Sequence, residues 1–167
     1  DASMENSWAL HGDGRLSHWG DVGELAPPPD LPKLEAIAAG DSFLLAITES
    51  GELVAWGDNS EGQCDLPDTE GKEIVASAAG SAHALVLLAD GTVIAWGRNV
   101  SAQCDTPPVK SKVVRIFAGG DSSASISIDG RLNAWGEIPD EFGDPQMPVS
   151  SAVAGGGAWI ILGSRNG

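Results

Sequence analysis

Cys64 and Cys104 are the residues of this chain with the most evident chemical potential, and each sits in the same phrase, Gln-Cys-Asp-X-Pro. A thiol pair could close a disulfide, but that requires Cα atoms within roughly 7 Å of each other. Equivalent positions on the outside of neighbouring sequence repeats lie farther apart, so both are expected as free thiols. A shared metal would need histidines at ligand spacing, and none is near. His11 and His18 stand well upstream, and no serine or cysteine is accompanied by a base in a recognisable nucleophile motif. Asp58-Asn59-Ser60-Glu61-Gly62 offers some oxygen ligands of a calcium loop, without the roughly 12-residue spacing or the closing glutamate. Asn99-Val100-Ser101 is an acceptor for N-glycosylation, of consequence only in a eukaryotic secretory setting. The expectation is a non-enzymatic chain with no catalytic residue, no metal and no cofactor.

Charge narrows the partners. Nine basic residues stand against 24 acidic ones, a net charge of −15 over 167 residues. Such a field repels a phosphate backbone or an anionic membrane surface, so neither nucleic acid nor membrane is expected. The cations form no patch; Lys110, Lys112 and Arg115 come closest. No apolar run reaches the ~18 residues of a membrane-spanning helix. The start at Asp1 reads as a processed protein, an excised piece, or one with extra residues ahead of Met4. Apolar content of 42% suffices for a single repeat domain over residues 1 to 167, and 22 glycines with 10 prolines point to many short elements joined by turns.

Those elements repeat. Gly14, Gly51, Gly91 and Gly130 each lead in five residues to a tryptophan, Trp19, Trp56, Trp96 and Trp135, and a glycine follows every one. The tryptophans are 37, 40 and 39 residues apart, and a fixed period of this size signals a repeat architecture. In each copy an Asp-Gly or similar pair suits the positive φ angles of a tight hairpin, and the tryptophan ends the return strand. The predicted strands are Ser7 to His11 and Arg15 to Trp19, then Leu34 to Gly40, Phe43 to Thr48 and Glu52 to Gly57. The next two copies read Ile74 to Gly80, His83 to Leu88 and Thr92 to Gly97, then Val113 to Gly120, Ala124 to Ile128 and Arg131 to Gly136. A last pair reads Val149 to Gly156 and Trp159 to Leu162. Short outer segments, Gly62 to Pro67 and Ala102 to Pro107, are the fourth strand of their units. The fold expected is an all-β propeller of about four four-stranded blades of ~40 residues and the start of a fifth. The units run about 7–33, 34–73, 74–112, 113–148 and 149–167. The four tryptophans Trp19, Trp56, Trp96 and Trp135 are expected to pack between blades.

Ala79-Gly80, His83, Asp90-Gly91, Trp96-Gly97, Asn99, Gln103 and Pro107 together resemble the regulator of chromosome condensation type repeat. The short unit is similar in style to bacterial propellers of that kind. The resemblance implies a scaffold for protein-protein interaction, with members ranging from exchange factors to enzyme inhibitors. The histidine of the pattern is kept at His83, and Trp8, Phe43, Ser123 and Trp159 are taken as its counterparts. In the family this position lies near a mouth of the propeller, so Trp8, Phe43, His83 and Trp159 are candidates for partner contact, packing being the alternative. Asp41 and Asp121, with Ser42, Ser81, Ser122 and Ser123, would line the same rim and suit a basic protein partner.

The two ends are offset. The first unit lacks an inner strand, and Val149 to Gly156 supplies one at the other end. Three readings follow: two chains join into a ring of about eight blades, a dimer being the favoured homo-oligomer; the chain is a piece of a longer propeller; or it closes alone with four blades. A purely structural self-assembling unit is the alternative function, and inhibitor-like or nucleotide-exchange activity at the mouth a further one.

Overall fold

The computed structural model describes residues 7–20, 23–138, 149–155 and 158–163, with side chains described up to residue 138 except that of Glu24. The elements are β1 (Ser7–Leu10), β2 (Leu16–Trp19), β3 (Leu34–Ala39), β4 (Phe43–Thr48), β5 (Leu53–Gly57), β6 (Ile74–Ala79), β7 (His83–Leu88), β8 (Val93–Gly97), β9 (Val113–Gly119), β10 (Ser122–Ser127), β11 (Leu132–Gly136), β12 (Val149–Gly155) and β13 (Ala158–Gly163). A single 3-10 turn spans Gly23–Leu25. Every predicted strand of the hairpins is present, with ends shifted by one or two residues.

β3-β4-β5, β6-β7-β8 and β9-β10-β11 are three antiparallel sheets of the same design, flanked by the two-stranded pairs β1-β2 and β12-β13. The Asp-Gly hairpins differ in detail from the expected pair of positive φ angles. Leu88 N–H bonds to Thr92 O and Gly91 N–H to Leu88 O, each near 2.9 Å, so the loop holds three residues. Only Gly91 has positive φ, at 93°. Asp90 instead accepts the Thr92 amide on its carboxylate at 2.9 Å, a local bond that suits aspartate to turns.

The central strands β4, β7 and β10 are buried at every position. Their alternate side chains serve two different cores, because successive residues of a strand point to opposite faces. Ala84, Val86 and Leu88 pack with Phe43 and Leu45 of the sheet before. Leu85 and Leu87 pack with Val113, Ile116, Ala118 and Trp135 of the sheet after. The cores therefore lie between sheets, which ties each unit to its neighbours. Residues of β3, β6 and β9, mostly alanines (Ala38, Ala39, Ala78, Ala79 and Ala118) with Ile116 and Phe117, line a shared cavity. That is the crowding expected of innermost strands.

The outer segments are not fourth ladder strands. Residues 58–67 and 98–107 form turns closed by side chains: Asn59 Oδ1 accepts the Cys64 amide and Gln63 Oε1 the Glu61 amide, at 2.8 and 2.9 Å. Asn99 and Gln103 do the same for the Cys104 and Ser101 amides, both at 2.8 Å. Amide side chains here replace the hydrogen bonds a strand would make. Among the described residues β12 pairs with β13 and not with β1, so the late strand does not complete the first sheet.

Candidate partner-binding face

Three short loops, 40–42, 80–82 and 120–121, join the inner strand of each full sheet to its central strand. Backbone bonds stitch them into one rim: Asp41 N–H to Ser81 O at 3.3 Å and Ser81 N–H to Gly120 O at 2.9 Å. The chain leaving each return strand is pinned to the same rim, Asp58 N–H to Ser42 O, Arg98 N–H to Ala82 O and Glu137 N–H to Asp121 O. The first turn of each outer segment therefore joins the loops on one face. That face carries Asp41, Asp58, Glu61, Asp65, Asp105, Asp121 and Glu137, and Arg98 is its one cation among the described residues.

The opposite rim is built by Glu49 N–H to Lys33 O, Ala89 N–H to Glu73 O and Ile128 N–H to Lys112 O. It mixes charges: Lys72 lies 3.4 and 3.3 Å from Glu70 and Asp90, and Arg131 3.7 Å from Asp129. The fold thus gathers an excess of negative charge on the first rim, where Arg98 pairs with Asp121, and the linear order of residues does not reveal it.

Asp41 is exposed at its loop tip and Asp121 is partly buried. The Asp121 carboxylate accepts from Gln103 Nε2 at 3.1 Å and lies 3.9 Å from Arg98. Asp58 is held below the usual carboxylate range by the Ser60 hydroxyl and amide, with Gln63 adding a further bond.

The aromatic candidates are placed differently from expectation. Phe43 and His83 are wholly buried, so neither can touch a partner directly. Each lies opposite the glycine that follows the tryptophan, Phe43 with Gly57 and His83 with Gly97. In the third sheet that register belongs to Ser122, opposite Gly136, not to Ser123. Trp8 pairs with His18, while Ser7 is already opposite Trp19, so Trp8 stands two residues past the Phe43 register. Trp159 pairs with Ala154, one past it; its side chain lies outside the described residues. One residue of slip turns a side chain to the other face of the sheet. Trp8 is half-buried and tilts against His18 with ring centres 5.3 Å apart. Ser122 and Ser123 belong to β10 and are buried rather than lining the loop.

Trp56, Trp96 and Trp135 share one arrangement. Their indole N–H groups donate to Leu25 O, Gln63 O and Gln103 O, at 2.9, 3.0 and 2.8 Å. Each thus docks on the segment that precedes its own sheet. Trp19 departs from the expected packing: it is 59% exposed, and no described residue offers the matching carbonyl.

Gln63 and Gln103 are completely buried and hold these docking turns closed. The sequence reading missed Glu61, Asp65, Asp105 and Arg98 as rim residues; the recurring turn phrase was the available signal. Cys64 and Cys104 are free, as expected. Each thiol donates to a backbone oxygen, of Asp58 and Arg98 at 3.4 and 3.3 Å. Burial and then neighbouring carboxylates push both thiols up, Cys104 to about 11, so neither is a reactive thiolate near neutral pH. Asn99, the sequon residue, has its amide engaged: Nδ2 donates to Asp105 at 2.9 Å. Among the described residues no three metal-ligating side chains converge.

Small three-stranded sheets whose inner strands line a shared cavity, with cores between them, define a β-propeller. Two of its repeats, residues 35–63 and 74–103, match the family described as "Regulator of chromosome condensation (RCC1) repeat". The chain is 41% identical over 69 residues to the ultraviolet-B receptor UVR8 of Arabidopsis thaliana, covering 38% of this chain and 16% of that protein. Its fold is similar to the ectodomain of the receptor kinase CR4 from Physcomitrella patens, with TM-score 0.77, 19% identity and coverage of 98% and 48%. It is also similar to Prp20p from Saccharomyces cerevisiae, with TM-score 0.75, 18% identity and coverage of 96% and 55%. That structure is described together with its binding to Gsp1p and histones. The chain spans about half the length of these solved relatives and a smaller share of the receptor.

Proposed function

We propose that this chain is a non-enzymatic protein-interaction module that receives a basic protein partner on its acidic rim. The observation that carries the reading is the distribution of charge: seven carboxylates with one arginine on one face, and mixed charges on the other. Such a face raises the encounter rate of a cationic partner and fixes its orientation more than it raises affinity. Prp20p, a propeller of the same fold, is described with histones among the proteins it binds, and histones are basic. The test compares the wild type with a rim variant, Asp41→Lys, Glu61→Lys and Asp105→Lys, and an opposite-face variant, Glu49→Lys and Glu73→Lys. Binding to immobilised lysine- and arginine-rich proteins is measured beside acidic ones at two ionic strengths. The rim variant should lose at least tenfold in affinity for the basic set and the opposite-face variant little. Equal loss in both variants, or no preference for basic proteins, would sink the proposal.

A second reading, self-association, is favoured by Trp19, the one repeat tryptophan among the four that is exposed. A second copy would cover it. Light scattering would then give a mass near twice 17.1 kDa, reduced by Trp19→Ala; a monomer at every concentration would exclude it.

A further inference from the structure

His83 lies at the junction of the second and third sheets, wholly buried, with its ring wedged against two backbones. A Cβ added at Gly80 would come 2.1 Å from its Cε1 and 2.7 Å from Gly120 O. Its Nε2 lies 2.9 Å from Ser123 Oγ on β10. Ser123 Oγ also lies 2.7 Å from Gln103 O, which can only accept. The serine proton therefore goes to Gln103, and Nε2 must carry the ring proton and donate it to Ser123. Nδ1 is then bare, buried and without a hydrogen-bond partner. We propose that His83 is an acid-operated latch between these two sheets: as the neutral imidazole it closes the junction, and protonation drives it open.

The physical ground is that a second ring proton would stand on Nδ1, which has no hydrogen-bond partner in the closed junction, and would charge a wholly buried ring. Three charged groups surround the junction. Asp121, on the loop of the third sheet, favours the cation but is already engaged by Gln103 and lies near Arg98. Arg98, just past β8, opposes it. Asp41, from the first full sheet, is exposed at its loop tip, with its backbone tied to Ser81. Burial outweighs Asp121 and the Ser122 backbone, and holds the imidazole near 4, down from 6.5. The folded chain thus binds this proton more weakly than the unfolded chain. The stability His83 confers is complete above pH 6.5 and is lost as pH falls from there toward 4.

The same location explains what opening would do. Gln103 O receives both Ser123 and Trp135, and Trp135 belongs to the core shared with Leu85 and Leu87. A shift at His83 is passed directly to the indole that docks the third sheet.

The experiment follows denaturant unfolding of the full chain between pH 7.5 and 4 for the wild type, His83→Phe and His83→Gln. Phe43 shows that a phenyl ring is accommodated at this register. All three proteins carry the same carboxylates, so losses from those cancel in the comparison. The wild-type folding equilibrium constant should fall about a hundredfold more than that of His83→Phe. Parallel curves would overturn the latch. In native wild type, the His83 ring signals should titrate with a midpoint below 5, and the Trp135 indole N–H should shift in step. A midpoint above 6, or a Trp135 signal that ignores the titration, would also overturn it. Should His83→Phe fail to fold, His83→Gln, which keeps a donor toward Ser123, and the titration give the answer.

Discussion

Ala102 is held in the left-handed region, with φ of 61°, because it occupies the place that Gly62 takes in the preceding turn with φ of 76°. A Cβ in that region meets its own backbone, a cost glycine escapes. Ala102→Gly should therefore stabilise the protein by about 0.5–1 kcal/mol, measured by urea unfolding; a loss of stability would mean the strain is not there. Gly97 stands at the opposite extreme. Its φ is 95°, and a Cβ there would lie 2.7 Å from Ala82 O. Gly97→Ala should cost about 2–3 kcal/mol, and a change under about 0.5 kcal/mol in the same assay would contradict the close approach. The Asp90 carboxylate is held near 2, first by the Thr92 amide and side chain and then by Lys72, so it is ionised at neutral pH.

At the level of elements, the unit of construction is a sheet together with the turn before it. Trp135 reaches back to Gln103 O, and the same carbonyl takes the Ser123 hydroxyl. Trp135→Phe keeps most of the ring and removes one donor from a carbonyl that keeps another. It should cost about 1 kcal/mol, whereas Trp19→Phe at its exposed site should cost next to nothing. Equal costs would mean that the indole bond is not what docks a sheet. The central strands show why burial here tolerates unusual composition. β10 reads Ser-Ser-Ala-Ser-Ile-Ser and is buried throughout. Its small side chains fit where β9, β11 and the neighbouring sheet already crowd the space.

For the molecule as a whole, the two rims differ because the chain visits them alternately. Each hairpin turn returns to one face, and each outer turn starts on the other. Seven carboxylates from five stretches of the chain thereby share a face, while the lysines of the segments entering β3, β6 and β9 lie on the opposite side. Raising ionic strength should weaken capture of basic proteins by the acidic rim, since exposed charges more than a Debye length apart, about 10 Å at 0.1 M salt, are screened. Salt-independent binding would point instead to an apolar contact, for which Trp19 or Val100, 59% and 71% exposed, would be the first residues to replace.

The sequence by itself determined the repeat, the strands and the propeller, because period, turn residues and alternation are local properties that one unit displays and the next confirms. It determined the free thiols as well, since equivalent positions in adjacent units cannot meet. Only the tertiary structure decided which side chain faces what. Phe43, His83 and Trp8 look alike in a line of text, yet strand register sends the first two into the junctions and leaves Trp8 two residues out of phase. The outer segments likewise read as strands until Asn59, Gln63, Asn99 and Gln103 are seen to take over their hydrogen bonds. The acidic rim and the His83 junction arise from residues about forty positions apart, and contacts between units follow from how sheets stack, which no single unit of sequence contains.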